Sequence, residues 1–526
     1  MAISILRTIW AKELDVQLEY VEDDDNFFEV GGTSISAVQL AAAAQTAGID
    51  LTVTDIYQHP QWAELVAVID GRSCCSPLKP APDVLPFELV SPQKVERIRE
   101  KIAKRLRVPA ADIEDIYPCS PLQEALMMLS MKEKGSYLSQ FVFRLPSTVD
   151  IPRLRRAWNK IVEASDVLRS RLVYLAEGCF QVVVKSAISW QTANELETYL
   201  ASDKGSLMLL GHPLVRLAVI HPHAEHQAFL VWTIHHSIHD RWSINLVLNE
   251  VNKLSQMDLQ KFPDTFPSPP PKFAGFIKHL LTDDQTQMEQ FWTSRLAKIR
   301  PRQFPPLPSP FYQPRTKDIL KRSAPIARRD HSKTTMSTVI QAAWGLTIGR
   351  HTGCNDVVFG MTLIGRDTPV SGITHMLGPT IATVPIPMVL NRDQKVATFL
   401  KQTQQELAEI IPFEHIGLQR IFELDESTRT ACNFQSLLVI QPYMASSAPD
   451  GWKQVDISNR DVYPHGLVVE CLLSENQSQL KIQLYFDPGL LTQEEVQTIV
   501  DDFERAISVL GNIGHEGHVI RDLGLI

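Results

Sequence analysis

Two short segments hold side chains that could do chemistry together. His235-His236-Ser237-Ile238-His239-Asp240 sets three imidazoles and a carboxylate directly after the apolar run Phe229-Leu230-Val231-Trp232-Thr233-Ile234. An imidazole accepts a proton near neutral pH, and general-base help of this kind typically contributes ~10²–10⁴-fold. Far upstream, Gly31-Gly32-Thr33-Ser34 puts a hydroxyl at the start of a helical stretch, where free backbone N–H groups favour an anion. The paired glycines leave the backbone open to close approach by an enzyme. Each segment also has a plainer reading, with Ser34 as a helix cap and the histidines as satisfied core residues. His235 and His239 have HxxxH spacing, but neither an HExxH pattern nor a third ligand accompanies them, so no metal site is expected.

The elements that must position these groups follow from periodicity. Phe229 to Ile234 is apolar enough for a buried strand, which delivers the histidines to its end. Trp242-Ser243 then opens an amphipathic helix bearing Ile244, Leu246, Val247, Leu248, Val251 and Leu254. A strand–loop–helix junction is a usual place for reactive side chains on a rigid frame. Residues 1–70 read as a small helical bundle. Ile5, Leu6, Ile9, Trp10 and Leu14 mark one stripe, Ile35, Val38, Ala41 and Ala42 a second, and a helix covers Trp62 to Ile69. Gly71 to Val90, rich in Ser, Pro and Cys, reads as a linker. Ser91-Pro92 reads as a helix start, with Val95, Ile98, Ile102 and Leu106 on its apolar face. That helix is basic; it is expected to be solvated on its polar side, and it could meet the acidic N-terminal unit. Beyond Asp112, Phe141 to Leu145 reads as a strand and Leu154 to Ala164 as a helix. Proline clusters at 264–271 and 301–314 suggest two lobes exchanging near residues 280–315.

Composition bounds the class. A chain of 526 residues exceeds what one core usually serves, so about three folding units are expected. Residues 1–70 hold twelve acids and two bases, so the net charge of -9 belongs to the N-terminal unit. The near-neutral remainder lacks the basic face that nucleic acid would call for. Seven scattered cysteines without CxxC pairs suit a reduced, cytoplasmic protein, and Cys74 and Cys75 read as exposed thiols. No apolar run approaches the ~18 residues of a membrane span, and the N-terminus has no signal-peptide core.

Asp25-Asn26-Phe27-Phe28-Glu29-Val30-Gly31-Gly32-Thr33-Ser34-Ile35-Ser36-Ala37 closely resembles peptidyl carrier (thiolation) domains. The histidine motif reads HHxxxD, and its neighbours resemble condensation domains of fungal nonribosomal peptide synthetases in their expected order. They are Tyr117-Pro118-Cys119-Ser120-Pro121-Leu122-Gln123-Glu124, Val167 to Leu172, Phe291-Trp292, Leu377 to Pro385, Ile411 to His415, Tyr463-Pro464 and Tyr485-Phe486-Asp487-Pro488.

The resemblance implies a multidomain chain: a four-helix-bundle carrier over 1–72, a linker with a basic amphipathic helix over 73–111, and an α/β two-lobed body related to chloramphenicol acetyltransferase. The lobes would be residues 112–285 and 286–526. It implies 4′-phosphopantetheine on Ser34, installed by a phosphopantetheinyl transferase, with a peptidyl thioester delivered by upstream modules of the synthetase. His236 would position or deprotonate the nucleophile, with His235 in support. Asp240 would be structural, with Arg366 as its salt-bridge partner.

Certain positions depart from the family. Arg241 stands where glycine is usual, Ala382 where asparagine is common, and Ser255 where a tyrosine marks terminal domains; His235 stands where that class often has serine. The chain stops soon after Asp487-Pro488. The reading that fits best is a terminal, cyclising condensation-like domain that releases the peptide by intramolecular attack, with a fumiquinazoline-type synthetase as one candidate source. The alternative is an elongation domain joining two carrier-bound substrates. Epimerisation, hinted at by Glu516-Gly517-His518, and non-catalytic recruitment fit less well.

Overall fold

The computed structural model describes residues 2–72, 84–133, 135–222, 227–257, 269–326, 333–441, 448–449, 451–455, 463–474 and 478–525. Cys74, Cys75 and most of the 264–271 proline cluster lie outside them.

The N-terminal unit is built from helices Ala2–Glu13, Ser34–Thr46, Val53–Gln58 and Trp62–Arg72. Leu6, Trp10, Phe27, Leu40, Leu51, Ile56 and Leu65 are fully buried between them, with Trp10 edge-on to both Phe27 and Trp62. Ile5, read as part of the first stripe, is instead exposed. Leu6 and Trp10 face the core, Ile9 and Leu14 pack at its margin, and Ile5 lies further round the helix on the solvent side.

A five-stranded sheet runs in the order Lys453–Val455, Leu138–Arg144, Phe229–His235, Val215–Ile220, Trp190–Ala193. Helices Ile151–Ala164 and Arg241–Gln256 cover one face through Trp158, Ile161, Val247 and Val251. Helix Leu196–Gly205 covers the other, against Val142, Ile220 and Val231. The strand Phe229–His235 is therefore buried on both faces, which is why it reads as a continuous apolar run and not an alternating one. A six-stranded sheet forms the second half, in the order Ala382–Val389, Asp356–Leu363, Ser436–Gln441, Leu467–Leu473, Gln479–Phe486, Asp318–Pro325. Its apolar face packs on helices Met336–Thr352 and Gln493–Gly511 through Trp344, Val500 and Phe503.

The lobes are not cleanly divided along the chain. The strand Lys453–Val455, from the second half, pairs antiparallel with Leu138–Arg144 and completes the edge of the first sheet. Trp452 packs against Phe143, and Ile373, Met376 and Leu377 join the first lobe's core. Proline clusters report where a chain turns but not where a later segment crosses back.

The helix expected from Ser91 begins at Val95, capped by Lys94 without a side-chain bond. The Ser91 carbonyl accepts from the N–H groups of both Lys94 and Val95, so residues 91–94 are spent in a turn feeding the helix. Its stripe of Ile98, Ile102 and Leu106 packs on the three-stranded sheet Ile113–Pro118, Gly178–Val184, Ser170–Leu175. Arg97 and Lys101 pair with Glu177. The described part of the presumed linker, from Val84, thus belongs to the body, and the basic helix faces Glu177 and not the acidic N-terminal unit.

Candidate active site and carrier serine

Every residue from Phe229 to Asp240 is buried except His236, which remains partly open. The loop is pinned from several sides. The His236 N–H donates to the carbonyl of Tyr137, a non-glycine residue at φ +59°, over 2.8 Å. Gln123, fully buried, donates from Nε2 to the Ser237 carbonyl at 3.0 Å and to Gln181 at 2.6 Å. The carbonyl of His239 lies 2.7 Å from His236 Nδ1. Because a carbonyl only accepts, Nδ1 carries a proton, and in the neutral tautomer it is Nε2, the nitrogen not engaged by the loop, that holds the lone pair.

His235 has the reverse arrangement. Its Nδ1 accepts from the Ser237 N–H at 3.1 Å, leaving Nε2–H to donate to Ser130 Oγ at 2.8 Å, and Ser130 in turn donates to the Leu126 carbonyl. Burial holds its pKa down at about 3, so it stays neutral. The ring of His239 stacks on that of His236, with centroids 4.9 Å apart. It is also kept uncharged, well below the ordinary imidazole range, chiefly by burial. No group of three or more His, Cys, Asp or Glu residues able to hold a metal occurs among the described residues.

Asp240 caps helix Arg241–Gln256 by accepting from the N–H and hydroxyl of Ser243, each at 2.7 Å. Arg366 donates to both Asp240 oxygens, at 3.1 and 3.0 Å, and to the carbonyls of Ile373, Met376 and Gly378. The N–H of Thr380 adds a further donor to Asp240. Burial alone would raise this carboxyl, but Arg366, Ser243 and Thr380 outweigh it and hold the pKa below the usual range. The structure therefore brings Asp240 and Arg366 together and, through them, ties the histidine loop to the segment 366–380. Sequence reading named that pair but not Ser130, Tyr137, Ser243 or Thr380. Only Ser243 left a signal, as the Asp-x-x-Ser spacing of a helix cap.

Ser34 is the first residue of helix Ser34–Thr46. The cap is Thr33, which accepts from Ser36 N–H while Ser36 Oγ accepts from Thr33 N–H. The plain reading of Ser34 as a cap therefore fails. Its hydroxyl makes no hydrogen bond among the described residues, and the side chain is partly open. Gly31 sits at φ +106°, and a Cβ on Gly32 would collide with the Phe27 ring and carbonyl. A free hydroxyl at the positive end of a helix suits a phosphate ester.

The N-terminal unit rests on the body beside the histidine loop. Trp242, Ala408 and Ile411 join its apolar core, and Tyr57 is buried in the same cluster. Helix Val53–Gln58 packs on helix Val396–Ile410, and Ser34–Thr46 meets the turn Ile373–His375. The Trp242 indole N–H donates to the Thr374 carbonyl at 2.8 Å.

A helical unit presenting an unbonded serine, seated on a two-lobed α/β body whose HHxxxD loop leaves His236 open, fits a carrier domain joined to an acyl-transfer domain. Residues 113–512 match the condensation domain family and residues 4–69 match the phosphopantetheine attachment site family. The chain belongs to the condensation domain family, and its N-terminal unit carries covalent 4′-phosphopantetheine. Attaching that group calls for a phosphopantetheinyl transferase. Similar proteins include "Nonribosomal peptide synthetase atnA" of Emericella nidulans, 33% identical over 96% of this chain, and "Nonribosomal peptide synthetase otaB" of Aspergillus carbonarius, 31% identical over 97%. The chain spans only 7% and 26% of their respective lengths. Among solved structures, "The crystal structure of holo T3CT" superposes with a TM-score of 0.67 at 20% identity, covering 82% of this chain and 99% of that one. The starter condensation domain of the rhizomide synthetase RzmA superposes with a TM-score of 0.64 at 15% identity, covering 76% and 98%. No helix among the described residues is long and apolar enough to cross a membrane.

Proposed function

We propose that the carrier holds a peptidyl chain on Ser34 and that the body releases it by attack of an amine or hydroxyl from the same chain, a cyclising release. Once bound, the phosphopantetheine arm supplies a thioester, an acyl group activated toward such nucleophiles. His236 Nε2 takes up the proton of the nucleophile, and the Nδ1–H···O=C bond to His239 steadies the cationic ring that results. His235, Ser130 and Gln123 keep the loop in register, while Asp240 and Arg366 hold it from the second lobe. Nucleophile and carbonyl lying on one tethered chain supply much of the orientational advantage.

The observation that carries this reading is the combination of exposure and tautomer at His236, one open imidazole whose free nitrogen is the basic one. A cyclising outcome is favoured over elongation because the carrier of the same chain is seated beside Trp242, with Arg241 in place of a small residue next to it. The test is to load a synthetic peptidyl-pantetheine onto Ser34 and follow release by mass spectrometry. A cyclic product without any added acceptor is expected, lost in His236→Ala and never loaded in Ser34→Ala. Release that requires a second aminoacyl carrier would reassign the domain to elongation, and full activity in His236→Ala would remove the histidine's role.

A further inference from the structure

The seat of the carrier and the histidine loop share one short segment of the second lobe. The serine helix Ser34–Thr46 meets the turn Ile373–His375. The first turn of helix Arg241–Gln256 grips the same stretch. The Trp242 indole donates to the Thr374 carbonyl at 2.8 Å, Ser243 Oγ accepts from the Gly378 N–H at 3.1 Å, and Asp240 accepts from the Thr380 N–H at 3.2 Å. Arg366 closes the arrangement. Its Nη1 donates to the carbonyls of Ile373 and Met376 at 2.6 and 2.9 Å, and its Nη2 to both oxygens of Asp240.

Trp242 is the residue common to all of these contacts. Its ring is buried in the apolar cluster of the carrier core, together with Ala408 and Ile411 of the body. The Arg366 guanidinium lies over the same ring, 5.4 Å from its centroid, where the indole face attracts a cation. One side chain thus joins the carrier's apolar core, the turn met by the serine helix, and the arginine that holds Asp240. From Asp240 the path to the reacting nitrogen is short. The carbonyl of His239, in the peptide bond to Asp240, is the one that lies 2.7 Å from His236 Nδ1. A shift of Asp240 moves that carbonyl and, with it, the direction of His236 Nε2. A base must sit within hydrogen-bond reach of the proton it takes, so a small error in ring direction is costly.

Resting on the histidine loop as the reacting centre, we propose that Trp242 is a positioning residue through which the seated carrier orients His236. With the carrier in place, the turn Ile373–His375 and the Trp242 ring are held, and Asp240 fixes the His239 carbonyl. With the carrier away, ring and turn lose that support and His236 leaves its working direction. The consequence is selectivity for a thioester presented by a docked carrier over the same thioester free in solution.

Amide exchange in the full chain tests the coupling apart from catalysis. Ala408 is fully buried in the carrier's apolar cluster and in no other, so Ala408→Arg drives a cation into the seat. It should speed exchange across residues 236–243 about tenfold. Trp242→Phe keeps an aromatic ring but loses the donor to Thr374, and should speed exchange likewise. Ala408→Arg added to it should then change exchange by less than about twofold. Tyr57→Ala, made on the carrier, repeats the unseating without touching the body. In Ser34→Ala chains given a free peptidyl thioester of N-acetylcysteamine, each single variant should lower kcat about tenfold with KM little changed, and the double variant should go no lower. Effects of the two substitutions that simply multiply, loop exchange unmoved by both unseating variants, or a change in KM alone would overturn the proposal and leave Trp242 a packing residue. Should exchange behave as expected while His236→Ala keeps full activity, the catalytic reading alone falls.

Discussion

One carboxylate, Asp240, both starts a helix and latches the histidine loop to the opposite lobe. Its partner Arg366 is fully buried and also donates through its two terminal nitrogens to three carbonyls of the segment 373–378. Removing one member of such a pair strands a buried charge, at a typical cost of ~3–5 kcal/mol. Asp240→Ala is therefore expected to lower the denaturation midpoint sharply. Arg366→Met combined with it should recover part of the loss, since the orphaned cation goes too. A double-mutant cycle in urea checks this, and strictly additive losses would contradict the coupling. The same pair could be named beforehand because the resemblance carried by HHxxxD implies an arginine partner for Asp240. Tyr137, whose carbonyl accepts from the His236 N–H, could not, since no motif holds it.

At the scale of elements, the serine turn depends on two glycines for different reasons. Gly31 needs its left-handed backbone, whereas Gly32 needs the absence of a side chain against Phe27. Gly32→Ala should push the Phe27 ring out of the core formed with Trp10 and Phe28, destabilising the carrier by ~1–3 kcal/mol. Amide exchange over residues 5–70 should accelerate while exchange in strand Phe229–His235 stays unchanged. Most elements here were legible. The strand before the histidines announced itself by unbroken hydrophobicity, and the apolar stripe from Ile244 to Leu254 announced the following helix. The helix near Ser91 misled because a capping-type residue followed by proline also starts a turn, and no local pattern separates the two. Lys453–Val455 was invisible because three residues carry no periodicity.

For the molecule as a whole, a carboxyl near the carrier is expected to make stability depend on pH. Tyr57 of the carrier is buried near Asp367, and Glu414 lies in the same cluster. Burial pushes the Asp367 carboxyl up to about 7, and Oδ1 has no hydrogen-bond partner. A carboxyl of raised pKa binds more protons in the native state than in the unfolded one, so its stabilising effect is complete below about pH 4 and is lost as pH rises through about 7. Wild type should thus lose stability between about pH 4 and 7 relative to Asp367→Asn, measured as the difference in melting temperature across that range. Parallel curves would remove Asp367 from this account.

The short strand Lys453–Val455 also bears on how far the two halves can part. By lacing the second half of the chain to the rim of the first sheet, it sews them together along one side. Any hinge between them must swing about that seam or first unpick its ladder with Leu138–Arg144.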